Sequence, residues 1–318
     1  MTRPVLRLTR AWPDRPVAAL RARFEVIDNP DDAPLDRDAL RRALQGCDGL
    51  LATVSDRLDA GLLTPGLRCR FIGNFGVGVS HIDLAAARAA GITVTNTPGV
   101  LTDATADLAI ALLLMSARRA SEGEALVRAG RWQGWAPTQL MGTHVTGKTI
   151  GIVGMGRIGA ATARRAHHGF GMRVLYTSRT PRPCDIPGAR QVDLPTLLAE
   201  SDFVSLHCPG GDANRHLIDA AALARMKPGA HLINTARGEV VDEAALVEAL
   251  RERRIAGAGL DVYENEPRLH PGLIGLPNVT LLPHLGSATV ETREAMGMKV
   301  VENAIAFFEG RDPPDRVV

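Results

Sequence analysis

The sequence predicts an α/β protein made of two doubly wound parallel-sheet domains. Three observations point to it. A chain of 318 residues is longer than one hydrophobic core usually grows. Short apolar runs alternate with Ala- and Leu-rich stretches, as in a parallel sheet with helical crossovers. This alternation pauses after the apolar helix-like stretch that follows "NTPGV" and starts afresh at Thr149.

In the first series "PVLRL", "FEVI", "GLLATV", "CRFIGNF" and "GITVTNT" read as strands with helices between them. The segment Thr102 to Arg119 has a polar start, an apolar middle and a basic end. Helix dipoles favour that charge order, and such a helix would join two domains. After the irregular "WQGWAPTQLMGTHVTGK", six strands are expected: Thr149 to Val153, Arg173 to Tyr176, Phe203 to Leu206, His231 to Asn234, Ala258 to Asp261 and Val279 to Leu282. Ser287 to Gly310 reads as a long helix returning to the first domain. The domains are therefore expected at 1–100 plus 286–318, which is discontinuous, and at 101–285.

Composition excludes several classes. A net charge of +2 leaves no electrostatic footprint for nucleic acid or an anionic membrane surface. The apolar run Leu108 to Met115 falls far short of the roughly 20 residues that span a bilayer. The N-terminus has no long apolar core of the signal-peptide kind, so a cytoplasmic protein is expected. Cys47, Cys69, Cys184 and Cys208 form no CxxC pair and no Cys/His ligand spacing; they read as reduced thiols, with no metal site.

"TIGIVGMGRIG" places Gly154, Gly156 and Gly159 in the order G-x-G-x-x-G between an apolar, β-branched run and an Ala-rich helical stretch. The glycine pattern alone is a weak signal, since a βα turn that only needs positive φ is the bland reading; the strand before it and the helix after it decide. A strand running into a helix through glycines suits a pyrophosphate at the helix N-terminus: Gly154 makes the turn, Gly156 lets phosphate approach the backbone, and Gly159 lets helix and strand pack closely.

Ligands of open parallel sheets bind beyond the carboxyl ends of the strands. The last three strands run into Arg237 ("LINTARG"), Asp261 and Glu266 ("GLDVYENEP") and His284 ("LLPHLGS"). Each has a bland reading as a surface arginine, a solvated acid or a hydrogen-bonded core histidine. Their shared edge beside a nucleotide supports a chemical one. A Glu next to a His favours the imidazolium, a proton donor. An Arg fork grips a carboxylate. With a nicotinamide hydride, these groups suffice to reduce a 2-oxo acid.

The blocks "GNFGVGVSHIDL", "GITVTNTPGVLTDATADLAIALLL", "GKTIGIVGMGRIG", "INTARGEVVDEAAL", "AGAGLDVYENEP" and "LLPHLGSAT" occur in the family's order, and by them the chain resembles the D-isomer-specific 2-hydroxyacid dehydrogenases, most closely their glyoxylate/hydroxypyruvate reductase branch. The resemblance implies a flavodoxin-like substrate domain and a Rossmann nucleotide domain with the active site in the cleft between them. It implies Arg237 as substrate-binding arginine, Glu266 as the acid that tunes the histidine, His284 as general acid/base, and the N–H groups of Val77 and Gly78 as carboxylate holders. Thr105, Met155, Gly156, Arg157, Ile158, Pro209, Thr235, Asp261 and Gly286 would line the cofactor groove. A homodimer is expected, as in the family.

An NAD site places an acid about 20 residues beyond the glycines, whereas an Arg nearby accommodates a 2′-phosphate. Here Ser178, Arg179 and Thr180 stand at that place, so NADP(H) is favoured and NAD(H) is possible. Val54 and Ser55 should face the substrate's tail, and with no basic cluster there a small acid such as glyoxylate or hydroxypyruvate is expected. Gln139 departs from the aromatic residue frequent in this branch, which leaves a larger or more polar 2-oxo acid open. Two other readings compete. A phosphoglycerate dehydrogenase-like enzyme is disfavoured by Ser178 and by the lack of a C-terminal regulatory domain. A nucleotide-sensing corepressor-type protein is opposed only in part by the intact Arg, Glu and His.

Overall fold

The computed structural model describes residues 3–180 and 184–318. The chain forms two compact units, Met1–Leu101 with Ala288–Val318, and Thr102–Ser287.

The first unit has strands β1 (Val5–Leu8), β2 (Glu25–Ile27), β3 (Gly49–Ala52), β4 (Phe71–Asn74) and β5 (Thr93–Thr95), with helices α1 (Asp14–Arg23), α2 (Arg37–Gly46) and α3 (Leu84–Ala89). The strand order is β2-β1-β3-β4-β5, and every pair is parallel. This is the doubly wound order of flavodoxin-like sheets. β3 and β4 are buried throughout, which is why they read as continuous apolar runs rather than alternating ones. Asp36 and Asp83 cap α2 and α3 by accepting the N–H groups of Ala39 and Ala86. On one sheet face Leu40, Leu44, Leu50 and Ile72 form a core. On the other, Leu6, Leu8 and Phe71 pack against Val300, Val301 and Ala304 of the C-terminal helix, Val290–Phe308. Each such fully buried Leu or Val contributes about 1.5–3 kcal/mol. Beyond that helix, the N–H of Val317 donates to the Val94 carbonyl (2.7 Å), and the N–H of Val94 donates to the Val318 carbonyl (3.0 Å).

The second unit begins with α4 (Thr102–Ala117) and α5 (Ala120–Arg128). Then come β6 (Thr149–Val153), α6 (Arg157–Phe170), β7 (Arg173–Thr177), β8 (Arg190–Gln191), α7 (Leu194–Glu200), β9 (Phe203–Leu206), α8 (Ala220–Arg225), β10 (His231–Asn234), α9 (Glu243–Arg251), β11 (Gly257–Leu260), α10 (Pro271–Ile274) and β12 (Val279–Leu281). The sheet runs β12-β11-β10-β9-β6-β7-β8, all parallel. Its order reverses between β6 and β9, the switch point where open sheets bind nucleotides. Alternate strand residues feed two cores. Ile150, Ile152, Phe203 and Ile233 meet α4 and α6 through Leu112, Leu113 and Ala163. Val204, Leu206 and Leu232 meet α7, α8 and α9 through Leu197, Leu223 and Leu246.

The sheet has one strand more than the six expected. β8 is only Arg190–Gln191, both exposed, so it carries no hydrophobic pattern; its pairing with Leu175 and Tyr176 alone defines it. Asp261, expected as the last residue of its strand, lies just beyond β11. Among the described residues no helix is long and apolar enough to cross a membrane, and no cluster of three or more His, Cys, Asp or Glu could hold a metal ion.

Candidate active site

β6 runs into α6 through the glycine turn. Gly154 has φ +99°, and its N–H donates to the Thr177 carbonyl (3.0 Å). A Cβ on Gly154 would stand 2.7 Å from the Cys208 nitrogen, and one on Gly159 would stand 2.2 Å from the Gly154 oxygen. Both positions are closed to any larger residue. Gly156, the exposed N-cap of α6, faces open space. The first N–H groups of α6 thus open, at the carboxyl end of β6, onto room for an anion. Met155 is buried, Ile158 half-buried and Arg157 exposed. Thr235, past the end of β10, is buried, and its Oγ1 has no partner among the described residues. A buried hydroxyl left unpaired is costly unless a ligand group meets it. These features fit a dinucleotide. The carbonyl of exposed Pro209 accepts the Asn214 side-chain N–H (2.8 Å).

Past β7, Ser178 is half-buried and its carbonyl accepts the Gln191 amide (3.2 Å). Arg179 and Thr180 are exposed, and Arg179 has no ion-pair partner among the described residues.

Arg237, Glu266 and His284 stand beyond the carboxyl ends of β10, β11 and β12. Asn234 shapes the first of these turns: its amide donates to the Arg237 carbonyl (2.9 Å) and its Oδ1 accepts the Ala236 N–H (3.0 Å). Gly238 lets this turn lie flat on the next one, since a Cβ there would fall 1.8 Å from the Tyr263 carbonyl carbon. Burial pushes the Arg237 guanidinium below its ordinary pKa, although the charges of Glu239 and Glu266 oppose the shift. Glu266 accepts the Tyr263 N–H on Oε1 (2.9 Å) and meets His284 Nδ1 with Oε2 (2.9 Å). Burial alone would raise the Glu266 carboxyl. The hydrogen bond and charge of His284, the Tyr263 N–H and Arg237 together hold it below the usual carboxylate range.

His284 has φ +55°. Its N–H donates to the Asp261 carbonyl (2.9 Å), and the Asp261 carboxylate accepts the N–H groups of Leu285 (2.7 Å) and Gly286 (2.8 Å). The Gly286 carbonyl in turn accepts the Thr105 hydroxyl (3.0 Å). Asp261 is 1% exposed, and burial pushes its carboxyl up to about 6. Asp261 and Thr105 thereby fasten the loop that presents the histidine. Among the described residues His284 Nε2 has no protein partner.

The structure separates the two acids of "ENEP". Glu264 pairs with Arg215 (2.5 Å) and His216 (2.8 Å), and among the described residues it makes no hydrogen bond or ion pair with His284. It also separates the histidines. His207 and His231 bond to hydroxyls and are pushed down to about 3 and about 4 by burial, as structural histidines are.

In the first unit, Asn74 donates to the carbonyls of Gly76 (2.9 Å) and Gly78 (3.0 Å), and Asn96 donates to that of Val77 (2.9 Å). The loop is held by its carbonyls, and among the described residues the N–H groups of Val77 and Gly78 have no hydrogen-bond partner. Val54 is 38% exposed, and Ser55 Oγ lies 2.9 Å from Thr53 Oγ1 in a turn closed by Asp56. Sequence reasoning missed Asn74, Asn96 and Asn234. The available signal was an Asn beside a glycine or strand end within each motif block.

Residues 110–286 match the family model for the D-isomer specific 2-hydroxyacid dehydrogenase NAD binding domain. The chain is 47% identical to a glyoxylate reductase of Thermococcus litoralis, over 99% of this chain and 97% of that one. Among solved structures, a protein from Thermus thermophilus is 47% identical with a TM-score of 0.90, covering 99% of this chain and all of its own. An NADPH-dependent glyoxylate/hydroxypyruvate reductase from Sinorhizobium meliloti, solved with NADP and malonate, is 37% identical with a TM-score of 0.85, covering 100% of this chain and 97% of its own. Likeness in sequence and in backbone extends over both units, well beyond the nucleotide-binding stretch, and the chain belongs to the D-isomer specific 2-hydroxyacid dehydrogenases.

Proposed function

We propose that this chain reduces small 2-oxo acids, glyoxylate and hydroxypyruvate foremost, to D-2-hydroxy acids at the expense of a reduced nicotinamide dinucleotide. The 2.9 Å contact between Glu266 and His284, one turn away from Arg237, carries the reading. It is supported by the glyoxylate reductases among the relatives.

The glycine turn from Gly154 to Gly159 would hold the dinucleotide, which when bound would supply the hydride. Thr105, Pro209, Thr235, Asp261 and Gly286 complete its groove. Arg237 grips the substrate carboxylate through a planar fork, and partial removal from water strengthens that attraction. The N–H groups of Val77 and Gly78 hold the carboxylate as well, and Val54 and Ser55 face the substrate's tail. His284 Nε2 gives its proton to the carbonyl oxygen as negative charge develops there. Glu266 accepts the Nδ1–H, orients the ring and balances the charge of the imidazolium. In the oxidising direction His284 takes the proton back.

NADPH is the proposed coenzyme, because Arg179 has no ion-pair partner among the described residues and stands where an NAD site carries an acid. NADH and NADPH, each offered with a panel of 2-oxo acids, test both proposals through loss of coenzyme absorbance. Arg179→Ala is expected to weaken NADPH about tenfold or more, the loss of one charge-assisted bond, and to leave NADH nearly unchanged. An unchanged NADPH-to-NADH ratio refutes the role of Arg179, and no turnover on any 2-oxo acid refutes the reaction.

A homodimer is part of the same proposal. It is supported by Val127, Trp132, Trp135 and Met141, exposed by 54–82% on one stretch around Gln139. Sedimentation should give twice the chain mass of 33.9 kDa, and a monomer at micromolar concentration would overturn it.

A further inference from the structure

The geometry points to Glu243 as the positioning residue that sets Glu266 against His284. This inference rests on the acid–base pair proposed above.

Glu243 is the first residue of α9, after the N-cap Asp242, whose side chain accepts the Ala245 N–H. It is 4% exposed, although an isolated carboxylate so far out of water is costly. Its two oxygens are both engaged by backbone of another segment. Oε1 accepts the N–H of Glu264 (2.7 Å), and Oε2 accepts the N–H of His270 (3.2 Å). Those two residues bracket the loop that carries Glu266. A single side chain therefore clasps both ends of the loop, and between them the Arg268 N–H donates to the Asn265 carbonyl (2.9 Å) and closes the short turn that carries Glu266.

The inner end of the clasp reaches the pair directly. Glu264 N is bound to Glu243, the preceding N–H of Tyr263 is bound to Glu266 Oε1, and Glu266 Oε2 meets His284. Loss of the clasp frees the Tyr263–Glu264 peptide, the immediate neighbour of the one whose N–H anchors Glu266 Oε1. The acid then no longer holds the His284 ring at one orientation. Among the described residues Glu243 makes no hydrogen bond or ion pair with His284, so its effect passes through Glu266.

Glu243→Gln keeps the shape but turns an N–H₂ toward one of the two backbone donors, so one end of the loop is released. Glu243→Asp keeps the charge and shortens the reach, and serves where the amide variant fails to fold. Three readouts are compared with those of Glu266→Gln: kcat for 2-oxo acid reduction, its pH profile, and the titration midpoint of the His284 ring followed by NMR. The ring titration needs no turnover, so it judges this inference even if the proposed reaction fails.

In either Glu243 variant kcat should fall at least fivefold, NADPH affinity should hold, and the pH profile and ring midpoint should move in the direction seen in Glu266→Gln. Adding Glu243→Gln to Glu266→Gln should move the midpoint no further. A folded variant with lowered thermal stability but a wild-type pH profile and a wild-type His284 titration would make Glu243 merely structural and overturn the inference.

Discussion

His284→Ala is expected to lower kcat for 2-oxo acid reduction by about 10²–10⁴-fold, the range that a positioned general acid contributes. NADPH binding should survive, because the glycine turn and the N-terminus of α6 are built without the imidazole. The effect is large because the histidine's place depends on more than its own side chain. Its backbone is fixed by Asp261 and its ring by Glu266. The alanine variant keeps the first of these and loses the second, so the defect should be confined to proton transfer. Stopped-flow binding of NADPH beside steady-state turnover separates the two. Undiminished kcat in the variant would remove His284 from the reaction, and equal loss of binding and turnover would make it a structural residue.

The second large effect is expected at Gly238, next to the proposed substrate arginine. A methyl group there would lie 1.8 Å from the Tyr263 carbonyl carbon, 2.0 Å from its oxygen and 2.3 Å from the Glu264 nitrogen. All three are backbone atoms, which cannot swing aside as a side-chain tip would. Gly238→Ala must therefore push the Arg237 turn away from the Tyr263–Glu266 turn. Overpacking of this kind costs about 1–3 kcal/mol or more, which corresponds to a fall in Tm of roughly 2–12 °C for a domain of this size. The two turns carry Arg237 and Glu266, so turnover should drop by more than the folded fraction does. Calorimetry and kcat/KM on the same sample decide it. A variant with wild-type Tm and wild-type turnover would show that the two turns are not packed as described.

Much of this architecture was legible in the residues. Strands buried on both faces, such as Thr149–Val153 and Phe203–Leu206, announce themselves as unbroken apolar runs because every position faces a core. The glycine spacing is likewise readable, since each glycine answers a separate steric demand. β8 was not legible, because two exposed residues paired to an edge leave no periodic trace. Arg237, Glu266 and His284 could be picked out by their shared position past the strand ends. Glu264 and Glu266, two residues apart in one motif, could be told apart only by where each side chain turns. The braces were hidden for a further reason. Glu243 acts on residues 21 and 27 positions away, and Asn96 on one 19 positions away, through single hydrogen bonds that obey no helix or strand period.

The partnership of Val94 with Val317 and Val318, and of Phe71 with the C-terminal helix, bears on the order in which the molecule assembles. As the polypeptide leaves the ribosome, β1 to β5 emerge first but lack the helix that roofs one side of their sheet. Thr102–Ser287 is continuous in the chain and can close its own cores during synthesis. The earliest-made segment is thus expected to finish folding last, because one face of its sheet stays uncovered until Ala288–Val318 is made. That interval is where a nascent chain of this design has most need of a chaperone.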